Sequence, residues 1–528
     1  MKQELLNKEV LAMYDVRGIQ EYIFRTNKVK EIIGASIIVE NIIEDSLNEI
    51  IKSKKEISEK ANLEWNKSEY EFDSNKEIEV EVGFIGGGNA YVLYRKGELC
   101  QEVNRELAKK ILEKTYSLNL AVAVVEKTDN YSNDYKKVQE EMQRIKAKMP
   151  MVRTIGSFPI TISDNQTGFP IVDRVIDKKN NEQEFVCTES KLKRNKVLDI
   201  RKDEKDSEHK KDIDTIFDDM ITGKGISSML AIVHIDGNNM GKRIGELMSK
   251  THNYNEAIDR MRKISKNINE SFKETYKSME KELAKQIDQE KTFIKDKKYI
   301  RKIITAGDDI TFVCNAKIAL SLVEYFLNDI SKKVMYGDNN NKSDLKKYGF
   351  SACAGIAYMY SHFPFSDAYK VAEECCASAK SRAKLKENVE DGFIGNWIDF
   401  QICKHISTGN LDKNRKKNYK IKNGYSLIRR PYNIACENCS KEEYSFEEFK
   451  EYINYFKNDD EMVRSWSKKI RNTYPLGEDE IEKVLEEAKS RGKYLPDKKP
   501  AFKDKVALFY DALEIMDLFK DINMQGGI

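Results

Sequence analysis

The chain has 528 residues, and 91 lysines and arginines stand against 88 aspartates and glutamates, a net charge of +3. That balance excludes a globally basic nucleic-acid coat and an acidic solvating tail, but leaves room for a local basic groove. A hydrophobic share of 40% over this length supports real cores, so two to four domains are expected.

No apolar run approaches the ~18 residues that would span a bilayer. The first residues, MKQELLNKEVLAMYD, lack the apolar stretch of a signal peptide. Nine cysteines are irregularly spaced and several sit in apolar segments, which predicts reduced thiols in the cytoplasm rather than a disulfide frame.

Residues 10–14 read as a strand, and Gly18 then turns the chain into a helix carrying Ile19, Ile23 and Phe24 at helical spacing. A second helix is expected over 34–52. Residues 79–85 alternate as a strand does, Gly86-Gly87-Gly88-Asn89 make a tight turn, and 90–94 form the return strand. A helix over 99–118 and a strand over 121–125 complete a βα-ββ-αβ unit, the order of a ferredoxin-like or polymerase-palm layer.

Residues 149–225 carry early breakers (Gly156, Pro159, Gly168, Pro170) and then lysine- and aspartate-rich sequence, which predicts a loop-rich connector. The same order of elements then returns. A strand over 229–235 ends at Asp236, helical sequence runs over 244–291 with a break near Asn253, and strands at 299–304 and 310–314 flank a turn at 305–309. A helix, a strand at 350–359 and a helix over 365–385 follow. The chain thus holds two diverged copies of one unit. The expected fold class is α+β, with a first palm over 1–148, the connector over 149–225, a second palm over 226–392 and an α-helical domain over 393–528.

In the second copy Asp236 ends one strand, and Asp308 and Asp309 stand at a hairpin tip. Neighbouring central strands bring such ends together. Three carboxylates there are a hard-oxygen set suited to Mg²⁺ or Mn²⁺, completed by substrate phosphates. The small residues Ala306 and Gly307 permit a sharp turn and close approach of a triphosphate. Lys380 and Lys384 share a helix face by their i,i+4 spacing and can contact phosphates as point charges. In the first copy Gly86, Gly87 and Gly88 offer backbone amides to a nucleotide, but no acid pair stands at that hairpin. Cys436 and Cys439 form a lone CxxC that, with Cys403 and His405, has the composition of a Cys₃His zinc site. The rival readings are an ordinary turn at 307–309 and a solvated helix face at 380–384.

The segments 15–24 and 30–36, Gly86-Gly-Gly-Asn89, His234-Ile-Asp-Gly-Asn-Asn-Met-Gly241 and Ala306-Gly-Asp-Asp309 resemble, in this order, the large polymerase-like subunit of type III CRISPR effector complexes, with its two palms related to the GGDEF nucleotide cyclases. The resemblance covers about residues 10–125 and 228–388. It implies a nucleotidyltransferase that makes cyclic oligonucleotides from ATP with Mg²⁺ or Mn²⁺ in antiviral defence. The second palm would be catalytic and ATP would bind where palms meet. It implies metal ligation by Asp236, Asp308 and Asp309 with the Ile235 carbonyl, and an accessory nucleotide pocket at Gly86–Gly88. RNA or effector subunits would be partners. Ala306 and Asn238 depart from the family's glycine and second aspartate, and the missing HD pair predicts a trimmed relative. The alternative function is a non-catalytic nucleotide- or RNA-binding subunit.

Overall fold

The computed structural model describes residues 3–67, 69–86, 88–148, 160–176, 183–203, 217, 220–249, 251–290, 293–294, 297–390, 393–405, 409–434, 444–458, 462–522 and 524. It divides into two compact units. One comprises residues 1–215, 239–270 and 303–308, and the other residues 216–238, 271–302 and 309–528.

In the first unit β1 (Val10–Arg17) is buried along most of its length, as a central strand covered on both faces must be. It is followed by α1 (Ile19–Phe24), α2 (Val29–Glu40), α3 (Ile42–Ser53), the short α4 (Lys55–Ser58) and β2 (Ala61–Asn62). Next come β3 (Val80–Gly86), β4 (Asn89–Tyr94), α5 (Gly97–Thr115), β5 (Asn119–Glu126) and α6 (Tyr131–Lys148). The sheet order is β2-β3-β4-β1-β5, with β1 antiparallel to both β4 and β5. Without the added β2, this is the ferredoxin-like order that the sequence pattern predicts.

The connector is more structured than its composition suggests. A hairpin, β6 (Ile171–Ile176) and β7 (Gln183–Cys187), leads into α7 (Thr188–Asp203). Buried charges fix α7 on the helices after β1. Lys193 donates to Glu189 at 2.6 Å and to the Tyr22 carbonyl, and Arg25 reaches the same Glu189 at 2.7 Å. Arg194 holds Glu31 of α2 at 2.8 Å.

The second copy runs β8 (Met229–Gly237), α8 (Met240–Met248), α9 (Tyr254–Gln289), β9 (Ile300–Ala306), β10 (Asp309–Asn315), α10 (Ala319–Ile330), α11 (Lys342–Tyr348), β11 (Ala352–Tyr360) and α12 (Phe365–Ala383). The break near Asn253 falls between α8 and α9. Two-residue strands, β12 (Val389–Glu390) and β13 (Phe393–Ile394), make a small ribbon. The segment expected to be wholly helical then contributes two strands to the palm sheet, β14 (Asn396–Ile402) and β15 (Tyr432–Ile434), giving the order β15-β14-β11-β8-β10-β9. The burial of β14 explains the difference: six of its seven residues are buried, so a helical reading of its apolar spacing had no exposed face to account for. Helices α13 (Leu411–Asn418), α14 (Phe446–Lys457), α15 (Arg464–Thr473), α16 (Glu478–Ser490) and α17 (Tyr510–Ile515) complete the chain.

The C-terminal helices are tied to the palm by buried charge. Arg430 donates to Asp511 at 2.7 Å and to Glu514 at 3.1 Å of α17, and Arg415 of α13 holds Asp399 of β14 with two contacts of 2.8 Å. Among the described residues no helix is long and apolar enough to cross a membrane. The seven described cysteines are buried free thiols.

Candidate functional site at the strand ends of the second palm

Asp236 lies opposite Asp309 in the β8–β10 ladder and opposite Cys353 in the β8–β11 ladder. Side chains alternate between the faces of a strand, so His234 and Asp236 share a face with Asp309, Thr311 and Gly355. Helix α12 covers that face. It lies so close that a Cβ on Gly355 would sit 2.0 Å from the Ala372 carbonyl oxygen, and Cys376 donates to the Cys353 carbonyl at 3.2 Å.

Close packing of α12 delivers Lys380 to the site. Its ammonium lies 2.5 Å from a carboxylate oxygen of Asp236 and donates to the Gly237 carbonyl at 2.9 Å. Burial alone would lower the Lys380 pKa, but the Asp236 carboxylate outweighs it and the net shift is upward. Lys384 caps α12, exposed.

His234 is buried, with Nδ1 at 3.1 Å from the Thr311 hydroxyl and 3.3 Å from a carboxylate oxygen of Asp309, and its ring meets Tyr369 edge-on. Burial pushes its pKa down, against Asp236 and Glu373, which leaves the imidazole neutral at pH 7. Asp308 immediately precedes Asp309 in the turn after β9, next to Gly307, whose φ of +66° is the left-handed conformation that glycine adopts freely. Among the described residues no atom lies within 4 Å of where a Gly307 Cβ would be. Ala306 ends β9.

The expected meeting of three carboxylates on one point is not found: among the described residues no group of three or more His, Cys, Asp and Glu side chains is disposed to hold a metal ion. Asp236 is turned to Lys380, and Asp309 lies against His234. Ile235 sits inside the ladder between Ile310 and Ala354, whereas the carbonyl that a cation reaches is Gly237's. Asn238 is buried away from this group. Its amide donates to Ser351 and to the Gly395 carbonyl, bracing the loop against β11.

In the first palm Asp15 faces Asn89 across β1 and β4, the register that Asp236 and Asp309 occupy in the second. Asp15 is ion-paired with Lys146 of α6. Gly86 ends β3, and Gly88 has a φ of +78°. Gly87 lies outside the described residues, as do Cys436 and Cys439 of the zinc reading. The Gly237 carbonyl, His234 and the Lys146–Asp15 pair escaped the sequence reading. Only His234, two residues before Asp236 on the same strand, carried a readable signal.

The family model described as Cas10/Cmr2, second palm domain, matches residues 229–389. This segment is similar to a Cas10/Cmr2 second palm. The type III CRISPR large-subunit resemblance of the motifs is borne out, and the matched residues hold Asp236, Asp308, Asp309 and Lys380. The fold likeness extends beyond the Cas10/Cmr2-type palm. A crystal structure of a Csm1–Csm4 cassette in complex with cA4 aligns with a TM-score of 0.50 at 13% identity, covering 97% of this chain and 70% of the other. A Csm1–Csm4 cassette in complex with pppApApA aligns with a TM-score of 0.51 at 12% identity, covering 97% and 69%. No curated protein matches the sequence.

Proposed function

We propose that this chain is a metal-dependent nucleotidyltransferase that joins ATP into cyclic oligoadenylates, working beside other subunits of a type III CRISPR effector. The observation that carries the reading is the placement of Asp236 and Asp309 on adjacent central strands, with a cation, the Lys380 ammonium, already bridging Asp236 and the Gly237 carbonyl. The matched structures hold cA4 and pppApApA and pair Csm1 with Csm4, which supports the choice of adenylate and of a partner subunit.

The donor set fits a small hard cation. Carboxylate and carbonyl oxygens converge where an ammonium sits. Asp236, Asp308 and Asp309, with the Ile235 or Gly237 carbonyl, would hold Mg²⁺ or Mn²⁺. Bound there, such an ion lowers the pKa of a ribose hydroxyl and offsets charge on the departing pyrophosphate. Displaced from Asp236, the Lys380 ammonium would contact the triphosphate as a point charge. Gly307 leaves the turn open to a phosphate. His234 lies against Asp309, and α12 packs closely over the strands on that face. Gly86 and Gly88 would line an accessory nucleotide pocket of the first palm, and Ala306 would let phosphate approach the second.

The test incubates the protein, alone and with its partner subunits, with α-labelled ATP or GTP and Mg²⁺ or Mn²⁺, resolving products by mass. Cyclic oligoadenylates and pyrophosphate are expected, and Asp236→Asn and Asp309→Asn should abolish both while leaving the melting temperature in place. Product yield unchanged in these variants overturns the reading. One observation favours a second reading, a non-catalytic nucleotide- or RNA-binding subunit: the Lys380 ammonium is ion-paired with Asp236. Nucleotide binding without product under every condition would select it.

A further inference from the structure

The ladder between β8 and β10 runs from Asp236 opposite Asp309 to Leu230 opposite Asn315. Six residue steps at ~3.3 Å place its far end about 20 Å from the carboxylates. A cleft of about 580 Å³ opens at that far end, lined by residues after β10, the end of α14, the start of α15 and the stretch following α17. That volume suits one small organic molecule.

Four cations line the cleft, Lys317, Lys457, Arg464 and Lys520, against a single acid, Asp517. The acid is taken up by Arg464, and Lys520 is held by Glu290 at 2.6 Å while lying over the Phe293 ring. Among the described residues no carboxylate lies within ion-pair distance of Lys317 or Lys457. Lys317 donates only to the Ser227 hydroxyl, at 3.4 Å, and Lys457 donates to the Phe519 carbonyl at 2.7 Å. Burial, with Lys317 and Arg464 nearby, pushes the Lys457 pKa down against the pull of Asp517 and Asp521. The backbone fixes this arrangement, because the Lys520 amide donates to the Lys317 carbonyl at 2.7 Å and Ser321 donates to the Lys520 carbonyl.

Mutually repelling cations on fixed backbone, around a cavity walled by Phe293 and Phe519, are stabilised by an anion that also has an apolar body. We infer that this cleft binds a mononucleotide, with its phosphate between Lys317 and Lys457 and its base against the aromatic wall. The strand of an RNA needs an open track, whereas this cavity has room for one unit. The inference stands apart from the catalytic reading, since no residue of the cleft belongs to the carboxylate site.

The experiment is acetylation footprinting of the full chain, with Lys317 and Lys457 followed by mass spectrometry in the presence of AMP, ATP, inorganic phosphate, sulfate or a short RNA. With AMP or ATP at ten times its Kd, both lysines should be protected about tenfold. Exposed lysines elsewhere, such as Lys136 of α6, should react unchanged. Equilibrium dialysis with labelled AMP should lose one site in Lys317→Gln/Lys457→Gln, and Lys317→Arg/Lys457→Arg should retain it. Equal protection by phosphate, sulfate and nucleotide means an adventitious ion only and overturns the inference. Protection by RNA alone, or none at all, does so too. The arginine pair guards against misfolding of the glutamine pair. Failure here leaves product formation at Asp236 untouched.

Discussion

The ammonium of Lys380 lies 2.5 Å from a carboxylate oxygen of Asp236, and the corresponding residues of the first palm, Lys146 and Asp15, form the same ion pair. Lys146 and Lys380 each stand fifteen residues beyond the first residue of the helix that follows the last strand of the repeated pattern, β5 in the first copy and β11 in the second. The duplication has thus kept the cation as well as the acid. In the first unit Asn89 takes the place of Asp309, and one carboxylate with one ammonium is a neutral pair. In the second unit Asp309 adds a carboxylate that Lys380 does not neutralise.

Lys380 therefore competes with any metal ion for Asp236. Replacing it with methionine should tighten Mn²⁺ binding to the nucleotide-free protein and weaken ATP. The Asp236 side chain is 38% exposed, so the pair is worth on the order of 1 kcal/mol, or about fivefold in the Mn²⁺ dissociation constant. Titration of free Mn²⁺ by electron paramagnetic resonance reads the change directly. Unaltered Mn²⁺ affinity would show that the ammonium does not occupy the ion's place.

The approach of α12 to the sheet rests on Gly355. A methyl group there would meet the Ala372 carbonyl at 2.0 Å and the Cys376 amide nitrogen at 2.3 Å, both backbone atoms that cannot turn aside. Gly355→Ala should cost about 1–3 kcal/mol. It should also move Lys380 away from Asp236. Urea unfolding measures the first effect and the Mn²⁺ titration the second. A variant with wild-type stability would mean that α12 is free to shift.

Much of this was legible in the sequence. The palm order could be read because β1 and β8 are long apolar strands followed by turn residues, and because the period-2 and period-3.6 patterns alternate cleanly through both copies. Asp236 and Asp309 could be paired because antiparallel strands of one hairpin layer leave few other registers. The rest depended on tertiary placement. No spacing rule brings Lys146 to Asp15, since the partners lie on different elements more than a hundred residues apart. Strand β14 was hidden because a strand buried on both faces shows neither alternation nor a polar side, and its lysine-rich surroundings read as helix. Asn238 looked like a weakened metal ligand by position in a motif, yet its side chain serves the β8–β11 loop.

Glu324 of α10 faces Lys450 of α14 at 2.5 Å, both largely buried. Burial outweighs the neighbouring ammonium and raises the Glu324 pKa to about 7. Its folded value thus lies above its unfolded one, near 4.3. The folded state binds the extra proton between those values, so this group's contribution to stability is complete below about pH 4 and is lost as pH rises to about 7. Glu324→Gln should remove that slope. Melting temperatures of the two proteins, compared from pH 5 to 8, should converge at the acid end, with wild type falling behind the variant toward neutrality. Parallel curves would mean that Lys450 keeps the carboxylate ionised throughout.

The sharpest stability test is Arg430, whose guanidinium is fully buried beside Asp511 and Glu514 and stacks over Phe400 at 4.4 Å. Asp511 also accepts from the backbone amides of Arg429 and Arg430 and from the Tyr432 hydroxyl, each at 2.9 Å, so it cannot turn to solvent when the arginine is lost. Removing one partner of such a cluster leaves an uncompensated buried charge, which costs about 3–5 kcal/mol. Arg430→Met should therefore loosen α17 from β15, giving a lower urea midpoint and rapid amide exchange over residues 510–515. In Arg430→Met/Asp511→Asn the stranded charge is gone, and part of the loss should return. If the single and double variants unfold alike, the cluster contributes by shape rather than by charge.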